Sequence, residues 1–153
     1  MQELVQKINE RLKESGWYNP LRIFLESSDF LNIIKELKRK VEEDNQRFCP
    51  SLSNAFKFLE DVPFGKVKAI LFTDFVNNQV EHNTGIPFYT PKMVGIFHES
   101  GTVYSKVTTH EKGGAHVIKS WIDQGVLIIP IALTTRIDGK PHLKVWEPFI
   151  MRL

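Results

Sequence analysis

A single cysteine, Cys49, excludes an internal disulfide and a cysteine-based metal cluster. It lies in an apolar context and reads as a small core residue rather than a nucleophile. No apolar run approaches the ~20 residues of a membrane span. The charged N-terminus lacks the apolar core of a signal peptide. These absences point to a reducing, intracellular setting: cytoplasm, including that of an infected host, or a virion. A net charge of +2 predicts no strong electrostatic partner. There is no glycine-rich phosphate loop, because Gly113-Gly114 lacks the pattern and the Lys-Ser/Thr pair that should follow. No serine sits in a nucleophile elbow, so a hydrolase triad has no support. His110, Glu111 and His116 are close together but lack the spacing of the helical zinc motif, and His82 and His98 are isolated. The sequence implies no metal and no cofactor.

What is present is an ordinary globular composition over 153 residues, 42% hydrophobic and 25% charged, which suits one domain with a real core. A single domain over 1–153 is expected, with residues 1–16 as a peripheral helix. Leu4, Val5, Ile8 and Leu12 fall at helical spacing from Gln2 to Glu14, closed by Ser15-Gly16. Trp17 to Pro20 reads as a turn before a short helix, Leu21 to Glu26. Ser27, Ser28 and Asp29 are alternative caps for a helix whose stripe is Phe30, Ile33, Ile34, Leu37 and Val41. Its charge run, KELKRKVEED, reads as a solvated face. Phe48-Cys49-Pro50 reads as a break, and Ser51 as the cap of a helix through Glu60. Pro63-Phe64-Gly65 is a turn.

The segment from Lys66 to Pro91 carries the strongest signal. Val67 to Phe72 is apolar without alternation, as in a buried parallel strand, and it delivers a lone acid, Asp74. In α/β proteins ligands bind at the carboxyl ends of such strands. Asn77 to Asn83 is loop. Met93 to His98 fits either a second strand or a short helix. A helix is expected over Ala115 to Asp123, ended by Gln124-Gly125. The most apolar strand follows, Val126 to Leu133, although Pro130 sits awkwardly inside it. Asp138-Gly139 is a turn, and Trp146 to Leu153 reads as the first turns of a helix. Helices alternating with strands predict an α/β fold with a parallel sheet covered on both faces.

From about Trp17 onward the chain resembles the family-1 uracil-DNA glycosylases. Phe30 to Leu37, Pro50 and Asn54-Ala55-Phe56 are similar to the family's early P…FNAF region. Pro63 to Lys68 resembles the segment before the family's first strand. Leu71 to Asn78 stands where the family has LGQDPYHG, and Gly85 to Pro91 where it has GLAFSVP. Ile118, Ser120-Trp121, Gln124 to Pro130 and Leu133 to Arg136 resemble the family's L..WA.QGVLLLN..LTVR. His142 and Trp146 to Phe149 resemble SH…GWE.F.

The resemblance implies a three-layer α/β/α fold with a short parallel sheet, lacking the family's last strand and C-terminal helices. Such enzymes flip a uracil out of DNA. Asp74 occupies the position of the water-orienting acid and Phe88 that of the base-stacking aromatic. Val76 replaces the pocket-closing Tyr, and Pro130 replaces the Asn that reads the uracil edge. The family's His and its apolar wedge belong to a segment beyond Trp146-Glu147 that is not matched here. Lys92, Lys106, Lys112 and Arg136 are candidate DNA contacts. The resemblance thus implies a degenerate glycosylase fold used as an interaction or structural part, as in a phage or viral assembly or a replication complex. An uncovered sheet edge would be closed by another protein chain or a second copy. The alternatives are an active glycosylase, with the base read by Asn77, Asn83 or backbone, and an α/β protein of unrelated function.

Overall fold

A computed structural model describes residues 2–74, 76–78, 80, 83–89, 114–137 and 139–153, except for the side chains of 114–116. Lys92, Lys106, Lys112, His82, His98, His110, Glu111, Asp138 and the stretch from Met93 to His98 lie outside the described residues, as does the side chain of His116.

Helix α1 runs Gln2–Glu14 and buries Ile8 and Leu12. Ser15 and Gly16 end it through bonds back to Arg11 and Lys13, with Gly16 at φ +78°. Helix α2, Tyr18–Leu25, begins three residues earlier than expected. Pro20 lies in its first turn, where the missing N–H has no helical acceptor to lose. Helix α3, Ser28–Glu42, is capped by Ser27, whose hydroxyl accepts from the Phe30 N–H at 3.4 Å. Phe30, Ile33, Ile34 and Leu37 are buried on one face, whereas Val41 is exposed. The opposite face is wet, with Arg39 paired to Glu36, Glu43 and Asp44.

The helix expected from Ser51 to Glu60 is broken. A 3-10 turn, Leu52–Asn54, precedes α4, Lys57–Asp61. Ser51 caps nothing with its side chain and instead lies 2.8 Å from the Ser53 hydroxyl. The break turns Phe56 into the centre of an aromatic cluster. It meets Phe149 at 5.4 Å, Trp146 at 5.8 Å and Phe30 at 6.1 Å, all edge to face.

The sheet that positions the site has two parallel strands among the described residues. Strand β2, Ala69–Thr73, pairs with β3, Val126–Pro130, in the register Ala69↔Val126 to Thr73↔Pro130. Helix α5, Gly114–Asp123, is the crossover between them, ended by Gly125 at φ +92°. There a Cβ would lie 2.2 Å from the Lys66 carbonyl oxygen, so glycine is required. Helices α4 and α5 both pack on β3, and every β3 residue after Val126 is buried. β3 is therefore the covered strand of a layered α/β arrangement.

Two expectations fail here. β3 ends at Pro130 rather than Leu133, and β2 is not buried. Ile70, Leu71 and Phe72 are 54%, 41% and 54% exposed. An unalternating apolar run fits a buried strand, but it equally fits a strand whose two faces are left open.

Pro130 causes no conflict in the ladder. Ile131 N–H donates to Thr73 O at 2.9 Å, so residue 131 points its backbone groups toward β2. Residue 130 then points away, and the missing N–H falls on the outer edge of β3.

Two short strands escape any sequence reading. β1, Phe48–Cys49, pairs antiparallel with β4, Thr135–Arg136, where the sequence suggested only a break. Helix α6, Leu143–Ile150, starts three residues before Trp146 and buries Trp146 and Phe149 against α3. Among the described residues, no helix is long and apolar enough to cross a membrane.

Candidate functional site

The parallel ladder carries Asp74 to the carboxyl end of the sheet. Thr73 is held opposite Pro130, and the next residue, Asp74, emerges exposed. No ion pair reaches Asp74 among the described residues. Pro130 is buried beside it at the end of β3. The ring offers no N–H and no polar side-chain atom. Val76 is half-buried and packs against the core.

Phe88 has φ +62°, a left-handed conformation rare for a bulky residue. Its surroundings hold it there. Thr84 Oγ1 donates to Tyr89 O at 2.8 Å and accepts from Ile86 N–H at 3.3 Å. Gly85, at φ +84°, sits so close to the 3-10 turn that a Cβ would lie 2.0 Å from Asn54 O. The turn bearing Phe88 is thereby fastened to Leu52–Asn54, and the Phe88 ring packs half-buried on the core.

Asn83 joins this turn to the loop after Asp74. Its Oδ1 accepts from Gly85 N–H at 3.0 Å, while its Nδ2 donates to Asn77 O and lies 3.6 Å from Cys49 Sγ. Cys49 Sγ is itself 3.5 Å from Asn77 O. Three segments therefore meet at one amide: β1, far away in sequence, the loop after Asp74 and the Phe88 turn. Both ends of the Asn83 side chain are occupied in building the site. Burial pushes the Cys49 thiol up, more than its contact with Asn83 lowers it. Cys49 is 2% exposed, which is the core residue expected rather than a nucleophile.

Arg136 lies on β4 opposite Phe48, half-buried, in a tight turn closed by Gly139 N–H to Arg136 O at 2.9 Å. A Cβ on Gly139 would lie 2.8 Å from Asn78 Nδ2, so this turn abuts the loop after Asp74. Of the four basic candidates, only Arg136 is placed within the described structure.

Sequence reasoning missed a buried polar trio behind β4. Trp146 Nε1 donates to Thr134 Oγ1 at 2.8 Å, and the same oxygen lies 2.9 Å from His142 Nδ1. All three side chains are buried. The signal was available in the spacing of Thr134, His142 and Trp146, but only the fold shows that they converge. A groove of about 330 Å³ also lies beside α1, lined by Val5, Gln6, Asn9 and Leu31 among others. It includes none of Asp74, Val76, Phe88 or Pro130. Among the described residues, no three His, Cys, Asp or Glu side chains come together to hold a metal ion.

No protein-family model matches the sequence. No curated protein matches it. Solved structures do match the fold. The mimivirus uracil-DNA glycosylase aligns at a TM-score of 0.74 and 20% identity, over 89% of this chain and 52% of that one. Two mimivirus UNG variants in complex with UGI align at TM-scores of 0.72 and 0.74, with 21% and 20% identity, over 89% of this chain and 54% of theirs. The chain thus spans about half the length of the structures it matches, and the likeness establishes a uracil-DNA glycosylase-like α/β fold.

Proposed function

We propose that this chain is a glycosylase-fold protein that does not excise bases and works as a protein-interaction or structural component. The observation that carries this reading is Pro130. It stands beside Asp74 at the carboxyl end of the sheet, at the position where the resemblance places the base-reading Asn. A proline there can neither donate nor accept through its side chain, and its backbone has no N–H. A site that reads a base edge by paired hydrogen bonds gains discrimination on the order of 10⁴–10⁵, which this position does not supply. Val76 leaves the pocket without the phenol that the resemblance assigns there. Asn83 offers no substitute, because its amide is spent on Gly85, Asn77 and Cys49.

Asp74 and Phe88 are then the remaining elements of an ancestral site, an acid and a stacking ring without the groups that select a base. A protein-interaction role suits the exposed apolar strand β2. DNA contact through Arg136, Lys92, Lys106 and Lys112 belongs to the same reading as an accessory property. It would show as retention on single-stranded DNA that falls steeply with salt.

Uracil-containing single-stranded DNA incubated with the pure chain tests the proposal. No abasic sites above the protein-free control are expected. Abasic sites that form with the wild type and vanish with Asp74→Asn would overturn it.

A further inference from the structure

The outer edge of β2 has no strand partner among the described residues, and both of its faces are open. The ladder fixes which backbone groups this edge presents. Ala69 N–H donates to Gly125 O at 3.3 Å and Thr73 O accepts from Ile131 N–H at 2.9 Å, so residues 69, 71 and 73 point toward β3. Residues 70 and 72 point outward by alternation, whereas Lys68 N–H still donates inward to Gly125 O at 2.9 Å, so Lys68 meets this edge through its side chain. The other edge of the sheet is unsuited to pairing, because Pro130 removes a donor from the outer side of β3.

The geometry points to a second copy of this chain as the occupant, with β2 adding antiparallel to β2 across a two-fold axis through Leu71. Three registers place outward groups opposite outward groups, centred on Ile70, Leu71 or Phe72. A centre at Ile70 sets Phe72 against Lys68 of the other copy, and a centre at Phe72 sets Ile70 against Asp74. Only the centre at Leu71 matches like with like. It pairs Ile70 with Phe72, Leu71 with Leu71 and Lys68 with Asp74, and each unlike pair occurs twice by symmetry. Lys68 and Asp74 are both exposed, and within one chain neither is in an ion pair among the described residues.

The backbone agrees with this register. Leu71 faces inward, so Leu71 and its copy form a non-hydrogen-bonded pair, with Cα atoms about 4.5 Å apart. Ile70 and Phe72 form the hydrogen-bonded pairs, and use the outward N–H and C=O groups that β3 leaves unused. A β-branched side chain opposite an aromatic is a favourable cross-strand pair, and opposite charges at the ends fix the register. The interface is isologous and closed, so it forms a dimer rather than a filament. The result is one four-stranded sheet, β3-β2-β2-β3, with the exposed apolar residues of both copies joined at its centre.

This inference names the partner for the interaction role proposed above. It is read by association state and not by base release, so either idea can fail alone.

Sedimentation of the full chain across a concentration series is the experiment. A monomer–dimer equilibrium is expected. Lys68→Asp and Asp74→Lys should each weaken it by about tenfold, because every dimer loses two opposite-charge pairs and gains two like-charge ones. The double variant Lys68→Asp/Asp74→Lys should restore wild-type association. Leu71→Cys should form an intermolecular disulfide on oxidation, and Ile70→Cys should not, because only the central pair has Cα atoms within bridging distance. Three results would overturn the proposal. One is a monomer at every concentration. Another is a double variant no tighter than the single ones. The third is protection of the Ile70 and Phe72 amides from hydrogen exchange in a monomer, which would mean that something else covers this edge.

Discussion

Replacing Thr134 by valine preserves shape and deletes one oxygen. That oxygen accepts from Trp146 Nε1 at 2.8 Å and contacts His142 Nδ1 at 2.9 Å, with all three side chains buried. Thr134→Val therefore removes the acceptor of Trp146 Nε1 and one contact of His142 Nδ1 while leaving packing nearly unchanged. Stranding a buried polar atom costs about 1–3 kcal/mol, and a loss of that size is expected from the Trp146 N–H. His142 also begins α6, whose Val145 and Trp146 N–H groups donate to its carbonyl, so the damage should reach the docking of that helix. Urea unfolding followed by tryptophan fluorescence reads the change as a lower midpoint at unaltered slope. Thr134→Ser keeps the hydroxyl and should lose much less. A Thr134→Val stability within about 0.5 kcal/mol of wild type, or a serine variant as damaged as the valine one, would refute the trio as a structural unit.

Three further predictions follow from other parts of the fold. Gly85→Ala should destabilise by at least about 2 kcal/mol, because φ +84° strains an L side chain and the new Cβ would strike Asn54 O at 2.0 Å; an alanine variant as stable as wild type in thermal melts would contradict that close approach. Cys49 should resist alkylation in the folded chain and react only as the protein unfolds, since burial raises its pKa and hides it; fast labelling without denaturant would contradict its placement. Glu36, held down to about 2 by hydrogen bonds from Arg39 and Lys40, adds stability that is present above its ordinary value of 4.5 and fades as pH falls toward 2. Because the pair is solvent-screened, Glu36→Gln should cost only about 0.5 kcal/mol at neutral pH, and urea midpoints of variant and wild type should converge in acid.

The sequence was legible where one local rule sufficed. The α1 and α3 stripes and the stop at Gly125 each follow from spacing plus a single residue's chemistry, whereas the sequence left Ser27, Ser28 and Asp29 open as caps and the fold uses Ser27. A parallel sheet was expected from apolar runs separated by a helix, and the fold shows which two strands pair, β2 with β3. Legibility ended where partners lie far apart in the chain. Phe48–Cys49 is a strand only because Thr135–Arg136 returns beside it, and two residues carry no periodicity. The split at Ala55 and Phe56 exists because Phe56 is drawn into the aromatic cluster with Trp146 and Phe149. The exposure of β2 was invisible, since an apolar run shows what a strand can bury and not whether anything buries it.

The candidate site divides in the same way. Asp74 was found from its strand, and Phe88 and Pro130 from the resemblance. Asn83 was weighed as a base reader, yet the fold ties its amide to Gly85, Asn77 and Cys49. Pro130 was legible as an oddity within an apolar strand. The ladder shows why it is tolerated: its missing donor faces the edge that β2 does not use.

On the proposed reading, Asp74 and Phe88 stand at a strand end that can no longer select a base. Single-turnover release of uracil from single-stranded DNA, with the chain in large excess, tests it most directly because even a slow enzyme would be seen. A rate equal to that of the DNA alone is expected, unchanged by Asp74→Asn. A rate above that background, abolished by Asp74→Asn, would contradict it.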